Sequence, residues 1–106
     1  MRTVVPSAPA ADPLVADAPA LGAAIRHART SAGITLADAA TAIGVSRQTM
    51  VNIEAGQGAV ALPTVLLAAR ELGLALFAVP AAEKQTARRA LLEARLAKAK
   101  AGGDGA

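Results

Sequence analysis

The sequence predicts an all-α fold, a helix-turn-helix bundle of four or five short helices plus one short strand in the C-terminal part of the chain. Apolar side chains recur at intervals of three and four residues between positions 21 and 72, which places them on one face of successive helices. Glycines close these runs, as expected just after a helix C-terminus, at positions 33, 44, 56 and 73. The strand is predicted from a continuous apolar run at 74–79.

Composition limits the class of protein. The 106 residues are 54% apolar but contain one aromatic side chain, Phe77, so a single small alanine-rich core is expected. The absence of cysteine excludes disulfides, thiolate metal sites and cysteine nucleophiles. No stretch reads as a signal peptide or approaches the roughly 20 apolar residues that span a bilayer. A cytoplasmic protein without a membrane partner is the expectation.

Residues 1–18 are rich in alanine and proline, lack periodicity, and are predicted to form a disordered arm. Four helices are predicted to follow, at residues 19–32, 36–43, 47–55 and 62–72. Thr35 and Ser46 are suitable N-caps for the second and third helices. Pro63 suits the first turn of the fourth helix. Residues 19–80 are therefore assigned to one domain.

The run at 74–79 is too short for a convincing helix and contains residue types that favour strands. No second strand is predicted in the chain. The economical partner is the same segment of a second copy, paired antiparallel across a two-fold axis, and the alternative is a buried extended linker. The residues assigned to this dimer strand are Leu74, Leu76, Phe77 and Val79.

Residues 81–106 form the most basic part of a chain whose formal net charge is +3. Alanine, leucine, glutamate, lysine and arginine dominate from Ala81 to Lys100 and predict a fifth helix, with a disordered end from Ala101. A basic helix is compatible with a phosphate-rich partner and equally with an ordinary solvated surface. The charge alone does not separate the two.

The second and third predicted helices have the organisation of a helix-turn-helix, which places the N-terminal residues of its second helix in the DNA major groove. Gly44 permits the tight turn between them. Ser46 caps the second helix of the motif. Ala39 and Ala40 are small enough for the two helices to cross closely.

This region, from Leu21 to about Gly73, resembles the phage-repressor and Cro-type (Xre-like) helix-turn-helix family. The resemblance is carried by Gly33, Thr35, Ala40, Gly44, Val45, Ser46, Glu54 and Gly56. It implies a lambda-repressor-like fold and a transcriptional repressor that binds double-stranded DNA sequence-specifically. The expected target is a pseudo-palindromic operator, bound by a homodimer.

The resemblance implies that Arg47, Gln48 and Asn52 face base edges. Arginine can bond O6 and N7 of guanine together, and glutamine or asparagine can bond N6 and N7 of adenine, each for about 1–3 kcal/mol of discrimination. The alternative is that the three side chains form the solvated side of an amphipathic helix.

Contacts to DNA phosphate are expected from Thr35, Ser46 and Thr49. Members of the family usually carry a phosphate-anchoring glutamine at the first position of the second helix, where this chain has Leu36. We therefore expect weak affinity per monomer, which dimerisation would offset.

The resemblance also implies a largely buried salt bridge between Arg29 and Glu54, with a structural role. His27 has no nucleophile or substrate partner in the sequence that would make it a general base. No metal-ligand spacing, phosphate-cradling glycine loop or Ser/His/acid set is present. The sequence thus predicts no enzymatic activity, no metal and no cofactor.

After the fourth helix, the stretch LGLALFAV at 72–79 is similar to HipB-like antitoxins. In those proteins this strand pairs between subunits, and the molecule represses its own promoter and binds a kinase-type toxin. Two functions are therefore open: a dimeric repressor, or an antitoxin that autoregulates its operon. The basic tail would then be either a DNA-phosphate arm or a segment that folds against the toxin.

Overall fold

The computed structural model describes residues 3–9 and 12–104, with side chains up to Ala101. The described residues contain five α-helices and one short 3₁₀ turn, so the prediction of an all-helical fold is confirmed. The helices are α1 (Ala18–Ser31), α2 (Leu36–Ile43), α3 (Arg47–Ala55), α4 (Leu62–Glu71) and α5 (Lys84–Asp104). The 3₁₀ turn, Ala81–Glu83, directly precedes α5.

The first three helices begin where a polar side chain satisfies a free backbone amide. The Asp17 carboxylate accepts from the Ala20 amide at 2.9 Å, and the Thr35 hydroxyl from the Asp38 amide at 3.1 Å. Ser46 does the same for α3. Because these caps are local, α2 and α3 have the bounds that the sequence predicts.

Two compact units make up the chain. The first unit contains described residues 3–9 and 15–76, and the second contains residues 12–14 and 77–104. In the first unit α1 packs on α3, and α2 packs on both α3 and α4. Its core consists of Ile25, Ala39, Ala40, Ile43, Met50, Ile53, Ala68 and Ala69.

The turn between α2 and α3 is short and sharp. Gly44 ends α2 with a positive φ of 85°, a conformation that glycine adopts without steric cost. The amide of Val45 then donates to the carbonyl of Ala40 at 2.9 Å. On the buried side of the turn, Ala39 and Ala40 have almost no exposed surface, so the crossing helices approach closely.

The prediction of a strand at 74–79 is wrong. Across residues 3–9 and 12–104 the structure contains no strand, and residues 74–80 have no regular secondary structure. A strand requires hydrogen bonds to a neighbouring strand, and no second strand is present within the described chain. The amide of Leu74 instead donates to the carbonyl of Ala69 at 2.9 Å, which completes the C-terminal cap of α4. Leu76, Phe77 and Val79 are exposed.

The second unit is held in part by an exposed ion pair. Arg88 donates to the Asp12 carboxylate from Nε at 3.1 Å and from Nη2 at 2.9 Å. This hydrogen-bonded guanidinium lowers the pKa of Asp12 below its ordinary value and raises the pKa of Arg88. Helix α5 continues to Asp104, beyond the predicted end at Lys100.

The predicted disorder of residues 1–18 stays a prediction, and positions 1, 2, 10 and 11 lie outside the described residues. Within the arm, the structure gives residues 3–9 no regular secondary structure but connects Ser7 to α1. None of the helices in the described part of the chain is both long and apolar enough to cross a membrane.

Candidate nucleic-acid interface

Helix α3 has one buried and one accessible face. Met50 and Ile53 are buried in the core. Arg47 and Gln48 open the helix and are exposed, while Asn52, one turn further along, is half-buried. We call the accessible side, with these three residues, the outer face of α3. The outer face of α3 therefore contains all three residues that are predicted to contact DNA bases.

Two of these three side chains are connected. Gln48 Nε2 donates to Asn52 Oδ1 at 3.1 Å, a contact between residues four positions apart on one helix. The bond uses one of the two protons on Gln48 Nε2. The other proton and the Oε1 acceptor remain, which is the donor and acceptor pair that reading an adenine requires. Asn52 thus lies where it can orient Gln48.

The three residues predicted to contact phosphate differ in whether their hydroxyl proton is already used in a hydrogen bond within the protein. Ser46 Oγ accepts from the Thr49 amide at 3.0 Å and donates its proton to Thr49 Oγ1 at 2.9 Å. Ser46 is therefore occupied within the protein, whereas the Thr49 hydroxyl keeps its own proton. Thr35 Oγ1 accepts from the Asp38 amide and also keeps its proton. Thr35 and Thr49 are the better donors to a phosphate oxygen.

Leu36 is half-buried and packs against the core of the first unit. Its side chain therefore stabilises the start of α2 by apolar contact and provides no polar group for a phosphate. The backbone amides of the first turn of α2 lie beside it, and such amides favour anions.

Arg29 and Glu54 form a buried salt bridge, with side chains 7% and 8% exposed. Arg29 donates to Glu54 from Nε at 2.5 Å and from Nη2 at 3.0 Å, and from Nη1 to the carbonyl of Ile34 at 2.8 Å. The guanidinium therefore joins α1, the start of the connection to α2, and the end of α3. A charge bonded in this way is compensated inside the protein rather than available to a ligand.

Gly22 fixes how closely α1 approaches α3, and the sequence prediction assigned it no role. A Cβ atom at this position would lie 2.4 Å from the backbone carbonyl oxygen of Glu54 and 2.5 Å from that of Ile53. The signal was a glycine inside the apolar stripe of a predicted helix, where it costs stability unless packing requires it. Gly22 and the Arg29–Glu54 pair therefore position α3 from its C-terminal end.

Arg26 also received no role from the sequence. It is exposed on α1 and lines an open cleft of about 430 Å³ together with arm residues Thr3, Val4 and Val5. The start of α2 and Arg47 of α3 complete the cleft. Sequence spacing could not reveal this group, because its members come from four separate segments of the chain.

His27 is half-buried on α1, and its Nδ1 donates to the carbonyl of Ser7 at 2.6 Å. The ring therefore contacts the arm. Among residues 3–9 and 12–104 no group of three or more His, Cys, Asp and Glu side chains is arranged to hold a metal ion.

Comparison with known families identifies the domain that contains α1 to α4. A family model described as a helix-turn-helix domain matches residues 20–76, more than half of the chain. The match covers nearly all of α1, the whole of α2, α3 and α4, and ends before α5. The search of curated proteins found no match.

Proposed function

The chain belongs to the helix-turn-helix domain family, and we propose that it is a sequence-specific DNA-binding repressor of transcription. The observation that carries this proposal is the division of α3 into two faces. Its inner side is fixed by Met50, Ile53 and the buried Arg29–Glu54 pair. Its N-terminal outer face presents Arg47 and Gln48 to solvent.

We assign base recognition to the outer face of α3. Arg47 suits a guanine and Gln48 an adenine, each contact being worth about 1–3 kcal/mol of discrimination. Asn52 reads bases together with Gln48, whose amide it orients through the 3.1 Å hydrogen bond. Because an oriented side chain loses less freedom on binding, Asn52 also supports the contribution of Gln48 to affinity.

Contacts to the DNA backbone complete the interface. Thr35 and Thr49 each keep a hydroxyl proton, and each lies in the first turn or at the cap of a helix whose amides favour phosphate. Ser46 contributes by capping α3 and orienting Thr49. Such contacts fix the position of the protein on the duplex without selecting its sequence.

We further propose that the repressor is a homodimer on a pseudo-palindromic operator, with its two recognition helices about 34 Å apart. The support is exposed apolar surface. Leu62 is 64% exposed and Phe77 is 80% exposed, so each leaves a large apolar side chain that a second copy could cover. We expect Phe77→Asp to produce monomers in sedimentation equilibrium, and Leu96→Asp, at an exposed leucine outside the predicted dimer segment at 74–79, to leave the dimer unchanged. A Phe77→Asp protein that stays dimeric would remove Phe77 from the interface.

Binding to a kinase-type toxin is the alternative function. The similarity to HipB-like antitoxins depended on a strand at 74–79 and on the arrangement of residues 62–76, and the first of these segments has no regular secondary structure. The alternative therefore keeps less support than the repressor. It is tested by the neighbouring reading frame: a kinase-like product that copurifies with this chain and is inhibited by it would favour the antitoxin.

Selection from a randomised DNA duplex pool tests the proposed function. The wild-type protein should enrich a sequence with two-fold symmetry after several rounds, at moderate salt where non-specific binding is weak. A duplex of scrambled sequence with the same composition is the control. Equal affinity for the enriched and scrambled duplexes would contradict sequence-specific binding.

A further inference from the structure

The N-terminal arm is fastened to α1 at Ser7. Its amide donates to Thr30 Oγ1 at 2.9 Å, and its carbonyl accepts from His27 Nδ1 at 2.6 Å. Thr30 is 5% exposed and donates its own proton to the carbonyl of Arg26 at 2.9 Å. Thr30 is thus a fixed acceptor on the helix, and both sides of the Ser7 backbone are held.

This attachment places residues 3–5 along the cleft that Arg26, Leu36 and Arg47 line on the other side. Among residues 3–9, Ser7 is the residue that hydrogen-bonds to α1. The amides of Thr3, Val4 and Val5, and the Thr3 hydroxyl, have no partner in the described part of the chain. These hydrogen-bond donors belong to residues that line the cleft.

The charges in this cleft point to an anion. Arg29 is neutralised by Glu54, but within residues 3–9 and 12–104 neither Arg26 nor Arg47 has an acidic partner. The arm segment TVVPSAP at 3–9 carries no charged side chain. If this segment replaced DNA in the cleft, we would expect it to bring carboxylates to these arginines, and residues 3–9 carry none.

We propose that the docked arm and Arg26 form a phosphate-binding extension of the DNA interface. A phosphate of the duplex backbone lies between the Arg26 guanidinium and the amides of residues 3–5, beside the start of α2. The extension supplies a backbone contact next to Leu36, whose apolar side chain offers none. This inference rests on the proposed function, because the phosphate belongs to the duplex that Arg47 and Gln48 read.

Two variants that change no charge test the role of the arm. Thr30→Val removes the hydroxyl that accepts from the Ser7 amide, with little change in side-chain shape. Ser7→Pro removes the amide proton that is donated, and it leaves every helix residue unchanged. Each should weaken binding to the enriched and the scrambled duplex by the same several-fold factor in fluorescence anisotropy. Ala8→Pro, next to the attachment point and exposed, should bind as the wild type does. Circular dichroism confirms that each variant is folded.

Arg26→Gln tests the phosphate contact. We expect the slope of log affinity against log salt to fall by about 0.9, the value for one phosphate contact on duplex DNA. Arg70→Gln removes a matched exposed charge from α4 and should leave the slope unchanged. When Arg26→Gln is combined with Ser7→Pro, the combined loss should be smaller than the product of the separate losses, since both disrupt one site.

The outcomes separate the two proposals. A wild-type protein that binds no duplex overturns both the proposed function and this extension. If the protein binds DNA sequence-specifically, and its affinity and salt dependence do not change in Thr30→Val, Ser7→Pro or Arg26→Gln, only the extension is overturned. Tighter binding by Ser7→Pro would also overturn it, because the arm would then cover the interface instead of extending it.

Discussion

The inner and outer sides of α3 use polar residues in opposite ways. Glu54, near the C-terminus of α3, is buried and fully engaged with Arg29. Arg47 and Gln48, at the N-terminus, are exposed, and Arg47 has no ionic partner in the described residues. Burial therefore separates polar residues that hold the recognition helix from those available to a ligand. Mutations on the two sides should differ in kind, the first affecting folding and the second affecting binding.

The largest expected effect is at the buried pair. Arg29→Met leaves the Glu54 carboxylate buried without its partner, and should lower the free energy of unfolding by about 3–5 kcal/mol. Urea denaturation measures this change. Arg26→Met, at an exposed arginine of the same helix, is the matched control and should change stability little.

The double variant Arg29→Met/Glu54→Leu sharpens the same test. Replacing both charges by apolar groups avoids the unpaired carboxylate, so much of the lost stability should return. If Arg29→Met were no more destabilising than Arg26→Met, the pair would not hold α3, and the proposed division between its two sides would fail.

The next effect is expected at Gly22. Gly22→Ala places a Cβ against the backbone of α3 and should destabilise the fold by about 1–3 kcal/mol. In an unconstrained helix the same change would stabilise by about 1 kcal/mol, so the sign of the effect reports the close approach. Ala23→Gly, at the adjacent exposed position, calibrates helix propensity by thermal denaturation. A stabilising Gly22→Ala would contradict the packing described.

A smaller difference in stability is expected between substitutions of two polar residues near the N-terminus of α3. Ser46→Ala removes the N-cap and should cost about 1 kcal/mol of stability. Gln48→Ala, on the outer face, should stay within about 0.5 kcal/mol of the wild type. Urea denaturation compares the two variants under identical conditions. Equal losses would mean that Gln48 also supports the fold.

The smallest effect on stability is expected at the exposed Arg88–Asp12 ion pair of the second unit. This pair contrasts with the buried Arg29–Glu54 pair of the first unit. Arg88→Gln should raise the pKa of Asp12 toward its ordinary value, because the guanidinium hydrogen bond lowers it. Since the folded-state pKa of Asp12 is lowered, the stabilisation exists above the unfolded-state pKa and is lost as pH falls through the folded-state pKa. NMR titration of the Asp12 carboxyl measures the shift, with Arg89→Gln as control. An unchanged pKa in Arg88→Gln would exclude the ion pair in solution.

Local signals in the sequence predicted most of the first unit. The caps Thr35 and Ser46 and the closing Gly44 lie next to the helices that they delimit, so α2 and α3 could be predicted to the residue. The outer face of α3 followed from the spacing of its polar residues and from the family resemblance. Each of these features depends on neighbours within about one helical turn.

Features that depend on distant contacts could not be predicted in this way. The apolar run at 74–79 resembles a strand locally, but a strand forms only with a partner, and Leu74 caps α4 instead. Gly22 matters because Glu54, far along the chain, packs against it. The attachment of Ser7 to Thr30 likewise joins a segment without periodicity to a helix.

The central claim is that the outer face of α3 reads base sequence while its inner side holds the helix. The most direct test selects duplexes from one randomised pool with the wild type and with Gln48→Ala, both shown to be folded. We predict that the wild type enriches a symmetric sequence and that Gln48→Ala loses the preference at one base pair in each half-site, keeping it elsewhere. The same enriched sequence from both proteins, with the same affinity, would contradict the claim.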